Sequence, residues 1–238
     1  MTIRTHFSPS DFSPLHGNQG DRELLPVASG PAGLTVAISR EVGARGVSIA
    51  KRVARKLGWQ VYTREHLEFL CANETVRQQV LSDLPIDVSR WVEEQLHRVE
   101  TDSILQDDVE LGPLPRLLFT LASRGQVVIV GRGAGYLLPK ESTLHVRIIS
   151  PLEERINYMA QLLRLSHHDA EKAVRHREEQ RTEFLLWNFE RDRMSLTDFD
   201  LILNSARLGE DSCVELISTA VSNKESHLQT PSDEVESY

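Results

Sequence analysis

The stretch that decides the fold is Leu34-Thr35-Val36-Ala37-Ile38-Ser39-Arg40-Glu41-Val42-Gly43-Ala44-Arg45-Gly46-Val47-Ser48-Ile49-Ala50-Lys51-Arg52-Val53-Ala54. Leu34 to Ile38 has the pattern of a buried strand. A glycine-bearing turn follows. Ile49, Ala50, Val53, Ala54 and Leu57 then recur at the spacing of one helix face, and Gly58 closes that helix. A strand, a turn and a helix start make an anion site, because the turn's N–H groups and the helix dipole both favour negative charge. The residues alone leave two readings open, a phosphate site or an ordinary strand-to-helix connection. The P-loop pattern GxxxxGK[ST], laid on this register, puts its first Gly on Arg40, its second on Arg45 and its Lys on Gly46.

The same alternation continues outward. Trp59-Gln60-Val61-Tyr62 reads as a second short strand, with Thr63 as N-cap of a helix through Cys71. Residues 73–112 carry helical periodicity and no strand signal, which predicts a helical insertion. Pro113 and Pro115 precede a helix from Leu117 to Ser123, ended by Gly125. Val127-Val128-Ile129-Val130 is a buried strand that runs into Gly131-Arg132-Gly133-Ala134-Gly135. Leu144 to Ile149 is strand-like. Ser150-Pro151-Leu152-Glu153-Glu154 has the form of a capping box, with Ser150 as N-cap, and its helix continues through Arg164. Ser166 to Arg193 reads as a charged helix, Asp200 to Asn204 as a last strand and Ser212 to Val221 as a closing helix. Strands that alternate with helices predict an α/β fold with a mainly parallel sheet covered on both faces.

Arg132, flanked by glycines just past a strand, stands where ligands bind in open α/β sheets and suits a phosphate or carboxylate clamp. An Arg serving helix C-termini is the alternative. Residues 164–193 balance seven Lys and Arg against seven acids. That is a solvated face or, functionally, a lid that brings arginines to phosphates. His167-His168 has no third ligand at metal spacing and reads as a capping or surface pair. Phe184, Trp187 and Phe189 read as packing residues.

The chain has 238 residues, net charge −8 and 40% apolar residues. That charge argues against nucleic acid as a partner. Only five of the 27 cations are lysine; such an arginine bias is what a GC-rich genome gives, and it is also compatible with phosphate recognition. Cys71 and Cys213, far apart, support neither a zinc site nor a disulfide scaffold. No apolar run is long enough to span a membrane, and the N-terminus lacks signal-peptide form, so the expected compartment is the cytoplasm. Residues 1–33 and 222–238 are rich in turn formers and are expected to be a mobile leader and a mobile tail.

From residue 34 to 221 the chain resembles the cytidylate kinase-like family, a branch of the nucleoside monophosphate kinases. The resemblance rests on Ile38-Ser39-Arg40-Glu41-Val42-Gly43, the helix from Ile49 to Ala54, and Leu57-Gly58-Trp59 with Tyr62. It continues through Val128-Ile129-Val130-Gly131-Arg132-Gly133-Ala134, Val146-Arg147-Ile148, Pro151 to Arg155, and Asp200 to Asn204. It implies a P-loop kinase-like parallel sheet of about five strands, with helices on both faces, a helical acceptor-binding insert and a helical lid. The implied activity is transfer of the γ-phosphoryl of ATP, with Mg²⁺, to a nucleoside monophosphate such as CMP.

By position, the turn Arg40, Gly43, Ala44, Arg45, Gly46, Val47 and Ser48 would hold the donor phosphates. Arg132 matches the arginine that grips CMP, with Gly133 beside it, and Arg181 fits a lid arginine, with Arg177 beside it. Arg45 is the cation nearest the vacated Lys position, and Ser48 keeps a hydroxyl for Mg²⁺ or phosphate. The departures are Gly46 at the Lys position, Val47 where relatives carry an Arg, Val130 at an acid position and Gly133 at an Asp position. The resemblance therefore implies either a kinase or a nucleotide-binding module with impaired catalysis that acts through protein partners. Which partners, which acceptor base and which oligomeric state are not encoded in these motifs.

Overall fold

The computed structural model describes residues 30–82, 84–101, 112–189 and 195–229. The decisive stretch folds as strand β1 (Thr35–Arg40) and helix α1 (Gly46–Leu57). Then follow β2 (Gln60–Tyr62), α2 (Arg64–Ala72), α3 (Glu74–Ser82), α4 (Ile86–Thr101), α5 (Leu114–Ser123) and β3 (Val127–Val130). The remainder is α6 (Ala134–Leu137), β4 (Thr143–Ile149), α7 (Leu152–Leu163), α8 (His167–Phe189), β5 (Leu201–Asn204) and α9 (Ser205–Gln229).

The five strands form one parallel sheet in the order β2-β3-β1-β4-β5. This is the P-loop kinase-like α/β architecture that the motifs imply. Alternate residues of each strand face opposite sides. Val36, Ile38, Val128 and Val130 pack with Ile49, Val53, Cys213 and Ile217 of α1 and α9. Ala37, Val127 and Ile129 pack with Leu67, Trp91, Leu117, Leu118 and Phe119 of α2, α4 and α5. Burial on both faces explains why these strands read as unbroken apolar runs. A third cluster joins Val42 to Ile156, Met159, Ala170 and Val174, and so ties the helix pair α7–α8 to the turn after β1.

β1 lies between β3 and β4, with Ile38 opposite Val130 and Arg40 opposite Ile148. The turns that leave β1 and β3 are therefore neighbours at the carboxyl edge. The chain after β1 runs to one side and the chain after β3 to the other, and such a divergence opens the crevice where ligands bind in this class of fold.

Several sequence expectations are corrected. Ser150 does not cap α7. Pro151 holds the N-cap position, and the Ser150 N–H donates instead to Glu41 Oε2 at 2.9 Å. The last helix starts at Ser205, bends at Gly209 and runs to Gln229, past the boundary drawn at residue 221. Its apolar positions continue onto the sheet as far as Val221 (1% exposed), and Lys224 Nζ donates to the Thr143 carbonyl at 2.6 Å, so the helix stays anchored. Trp187 does not pack, being 70% exposed, whereas Phe189 is buried and Phe184 packs beside it. His167, as expected, is a surface group, paired with Glu153 at 2.7 Å. The leader up to residue 29 and the tail from residue 230 lie outside the described residues. No helix of the described residues is long and apolar enough to cross a membrane.

Candidate active site

The turn after β1 is built by two left-handed residues, Gly43 (φ 83°) and Arg45 (φ 60°). The Ala44 N–H donates to the Glu41 carbonyl at 3.3 Å, and the Ile49 N–H to the Arg45 carbonyl at 3.0 Å. The N–H groups of Gly46, Val47 and Ser48 open α1 and have no acceptor within the helix. They point at the crevice edge with the positive end of the helix dipole behind them. Gly43 is required twice over, since a Cβ there would lie 2.6 Å from the Arg155 carbonyl oxygen.

Gly46 stands at the position of the P-loop lysine. A Cβ on it would lie 2.6 Å from Cβ and 2.8 Å from Cγ of Arg40. The stem of Arg40 thus crosses the face of Gly46. Its guanidinium continues to Gly131, where it fills the space that any Cβ at residue 131 would need.

Around that guanidinium the sequence-predicted arginines divide. Arg132 sits in the turn after β3 with φ 55°, between Gly131 and Gly133. It pairs with Glu68 of α2 and lies 5.0 Å over the Phe184 ring. Glu68 also accepts from Arg64 Nε at 2.7 Å. Arg181, from α8, donates to the Arg40 carbonyl at 2.9 Å and lies 3.9 Å from Glu178. Glu178 in turn accepts the Val42 N–H and lies 3.6 Å from Arg155. These contacts dock the predicted lid helix on the turn. Arg177 is on the same helix, exposed, close enough to lower the pKa of Arg181.

The electrostatics record the crowding. Burial, and then the charge of Arg181, lower Arg40 to about 9. Burial, and then Arg64, lower Arg132 to about 10. Burial lowers Arg181 to about 10 as well, opposed by Glu178. All three stay cationic at neutral pH, in a place where an anion would relieve them.

The structure does not bring Arg45 to this group. Its guanidinium pairs with Glu210 of α9 at 3.3 Å and lies 4.8 Å over the Tyr158 ring. Ser48 Oγ donates to the same Glu210 carboxylate at 2.5 Å. Ser48 and Glu210 thereby present two oxygen donors beside the first turn of α1, a donor type that Mg²⁺ accepts. Gly133 (φ 72°) caps α6, and a Cβ there would run into the Phe189 ring. Its smallness serves packing.

Sequence reading missed Arg64, Glu65 and Glu68 on α2, Arg155 on α7, and Glu178 and Glu210. Only Arg64–Glu68, four apart on a helix that leaves a strand's carboxyl end, carried a local signal. Arg155, Glu178 and Glu210 meet the first turn across more than a hundred residues of chain.

The profile of the cytidylate kinase-like family matches residues 35–207. The chain belongs to the cytidylate kinase-like family. A cytidylate kinase from Ignicoccus hospitalis is 30% identical over 184 residues, which cover 76% of this chain and 95% of that protein. An uncharacterized protein from Eubacterium ventriosum has the same fold, with a TM-score of 0.56 at 15% identity, over 80% of this chain and 98% of that one.

Proposed function

We propose that this protein transfers the γ-phosphoryl of ATP to a nucleoside monophosphate, with CMP as the first acceptor to try. The observation that carries the reading is the convergence of Arg132 and Arg181 on the carboxyl edge, beside the free N–H groups of Gly46, Val47 and Ser48. Phosphoryl transfer asks the protein for positioning and charge neutralisation more than for covalent chemistry. The N–H groups of 46–48 hold the donor phosphates. Arg132, fixed in place by Glu68, holds the acceptor phosphate. Arg181 reaches across from α8 and neutralises charge between the two. An acceptor phosphate oxygen forms the new bond to the γ-phosphorus, the bond to the β–γ bridging oxygen breaks, and the two products are nucleoside diphosphates. Ser48 and Glu210 are the groups to hold Mg²⁺, which when bound neutralises the donor phosphates. The setting is the cytoplasm, where ATP and nucleoside monophosphates are found.

A second reading is a nucleotide-binding module of the same fold that acts through protein partners. The closure of the lysine position by the Arg40 stem favours it. A coupled assay for diphosphate formation, run beside thermal-shift titrations with ATP and CMP, separates the two. Turnover with CMP supports the kinase. Stabilisation without turnover supports the module, and neither effect removes both.

A further inference from the structure

We infer that arginine and glycine have exchanged places in the phosphate turn, so that Arg40 is the side chain that meets the transferring phosphate in place of a lysine at position 46. This deepens the kinase reading and rests on it for the identity of the phosphate.

The P-loop pattern has Gly at the first position and Lys at the seventh, which are residues 40 and 46 here. The chain has Arg and Gly. The substitutions are spatially coupled, because the Gly46 Cα is the floor over which the Arg40 stem runs, with no room for a Cβ. A lysine at 46 and an arginine at 40 would be mutually exclusive. Gly131 is coupled to the same side chain, since its missing Cβ leaves the space that the Arg40 guanidinium fills. Gly46 therefore serves Arg40, while Gly131, which its φ of 81° already requires, leaves room for the guanidinium.

Its placement is that of a ligand group. Arg40 leaves the end of β1, passes the start of α1 and ends over the turn that bears Arg132. It lies between the N–H groups of the first turn and the guanidinium of the second. The backbone of Arg40 is itself held by Arg181. Arg40 Nε is buried and makes no hydrogen bond. Its electrostatic neighbours are Arg181, Arg64 and Arg132, with Glu65 the one acid among them. A half-buried guanidinium with a buried, unused Nε–H and cationic neighbours is costly unless an anion completes it. Planar donors match the oxygens of a phosphoryl group.

The test uses the whole protein and inorganic tripolyphosphate as probe, so that neither base recognition nor turnover is needed. Binding is read by calorimetry, and folding by circular dichroism melting. Arg40→Met keeps the stem and should lose about tenfold or more in tripolyphosphate affinity, the effect of one charge-assisted contact. Gly46→Lys alone should also lose affinity, because the new side chain meets Arg40. The exchange variant Arg40→Gly with Gly46→Lys should recover affinity to within about threefold of the parent, as expected for two coupled sites. Should Arg40→Met fail to fold, the folded exchange variant decides by the same criterion. The inference is overturned if Arg40→Met melts lower yet binds as the parent does, if the folded exchange variant does not bind, or if Gly46→Lys alone binds as well as the exchange. A parent that binds no tripolyphosphate overturns it too. A parent that binds tripolyphosphate through Arg40 but never forms a diphosphate leaves it standing and retires the kinase reading.

Discussion

The turns after β1 and β3 carry the same two kinds of residue, a left-handed glycine and a left-handed arginine, and their arginines face opposite ways. They leave adjacent parallel strands in register. Each has a left-handed glycine, Gly43 at φ 83° and Gly131 at φ 81°, and each has a left-handed arginine, Arg45 at φ 60° and Arg132 at φ 55°. Arg132 turns to the crevice, where Glu68 and the Phe184 ring receive it. Arg45 turns away, to Glu210 and the Tyr158 ring. The local backbone differs, since Arg45 is itself the N-cap of α1 whereas Arg132 precedes Gly133, the N-cap of α6. Each guanidinium is then held by a carboxylate and an aromatic ring from remote helices. An arginine in a glycine turn is thus a phosphate ligand only if its neighbours hold it on the ligand side.

The largest effect should come from the first turn's own backbone. Gly43→Ala must place a Cβ 2.6 Å from the Arg155 carbonyl oxygen while holding φ near 83°. Backbone strain plus a collision with main chain should cost about 3–4 kcal/mol in denaturant unfolding. Gly58→Ala has a comparable φ of 73° but meets nothing within 4 Å, and should cost about 1–2 kcal/mol. Equal losses would mean that the close approach of the first turn to α7 is not what fixes it.

His145 is the strut between the turns. Its Nε2 lies 2.9 Å from Ser39 Oγ, just before the first turn, and its ring backs onto Gly135 of the second. Its Nδ1 lies 2.8 Å from the Asp198 carbonyl. Burial lowers its pKa to about 4, from 6.5. The unfolded chain therefore binds the proton more readily than the folded one. His145 contributes stability that is present above pH 6.5 and lost as pH falls to about 4. The loss amounts to about 3 kcal/mol at most. The parent minus His145→Gln difference in unfolding free energy should decline across that window. A flat difference would show that the ring is not buried in its neutral form.

How much of this was legible follows from what kind of contact decides each part. β1, α1, β3 and the parallel sheet were readable because their apolar periodicities are local and strong. The start of α7 was not, because Glu41 takes the Ser150 N–H from outside the local sequence. Of the candidate site, Arg132 and Arg181 were expected by position, and both lie at the carboxyl edge. The outward turn of Arg45 was hidden, since it depends on Glu210, 165 residues away. Arg40 was placed in the phosphate turn by position, but its coupling to Gly46 was hidden. Its signal, an Arg and a Gly in each other's places, looks like two unrelated losses until the chain is folded.

Arg132→Ala tests the inward-facing member of the pair. It removes a charge-assisted contact to the acceptor phosphate and should weaken CMP binding by about 1.5–3 kcal/mol in calorimetry, with the fold intact. Unchanged affinity would take Arg132 out of the site and would erase the functional difference between the turns.

The smallest effect belongs to Arg45. Its side chain is 45% exposed, and a pair with Glu210 at 3.3 Å in that setting is screened by water. Arg45→Ala should change unfolding free energy by no more than about 0.5 kcal/mol. It should change ATP affinity by less than about twofold, a similarly small energy. Arg45→Gly also loses the pair but releases the left-handed backbone, so it should be the more stable of the two variants by about 1 kcal/mol. The two substitutions together separate the residue's conformation from its charge. If Arg45→Ala instead costs ATP affinity as much as Arg132→Ala costs CMP affinity, then Arg45 leaves Glu210 when nucleotide binds. Both turns would then aim a guanidinium at phosphate, and the difference between them would vanish.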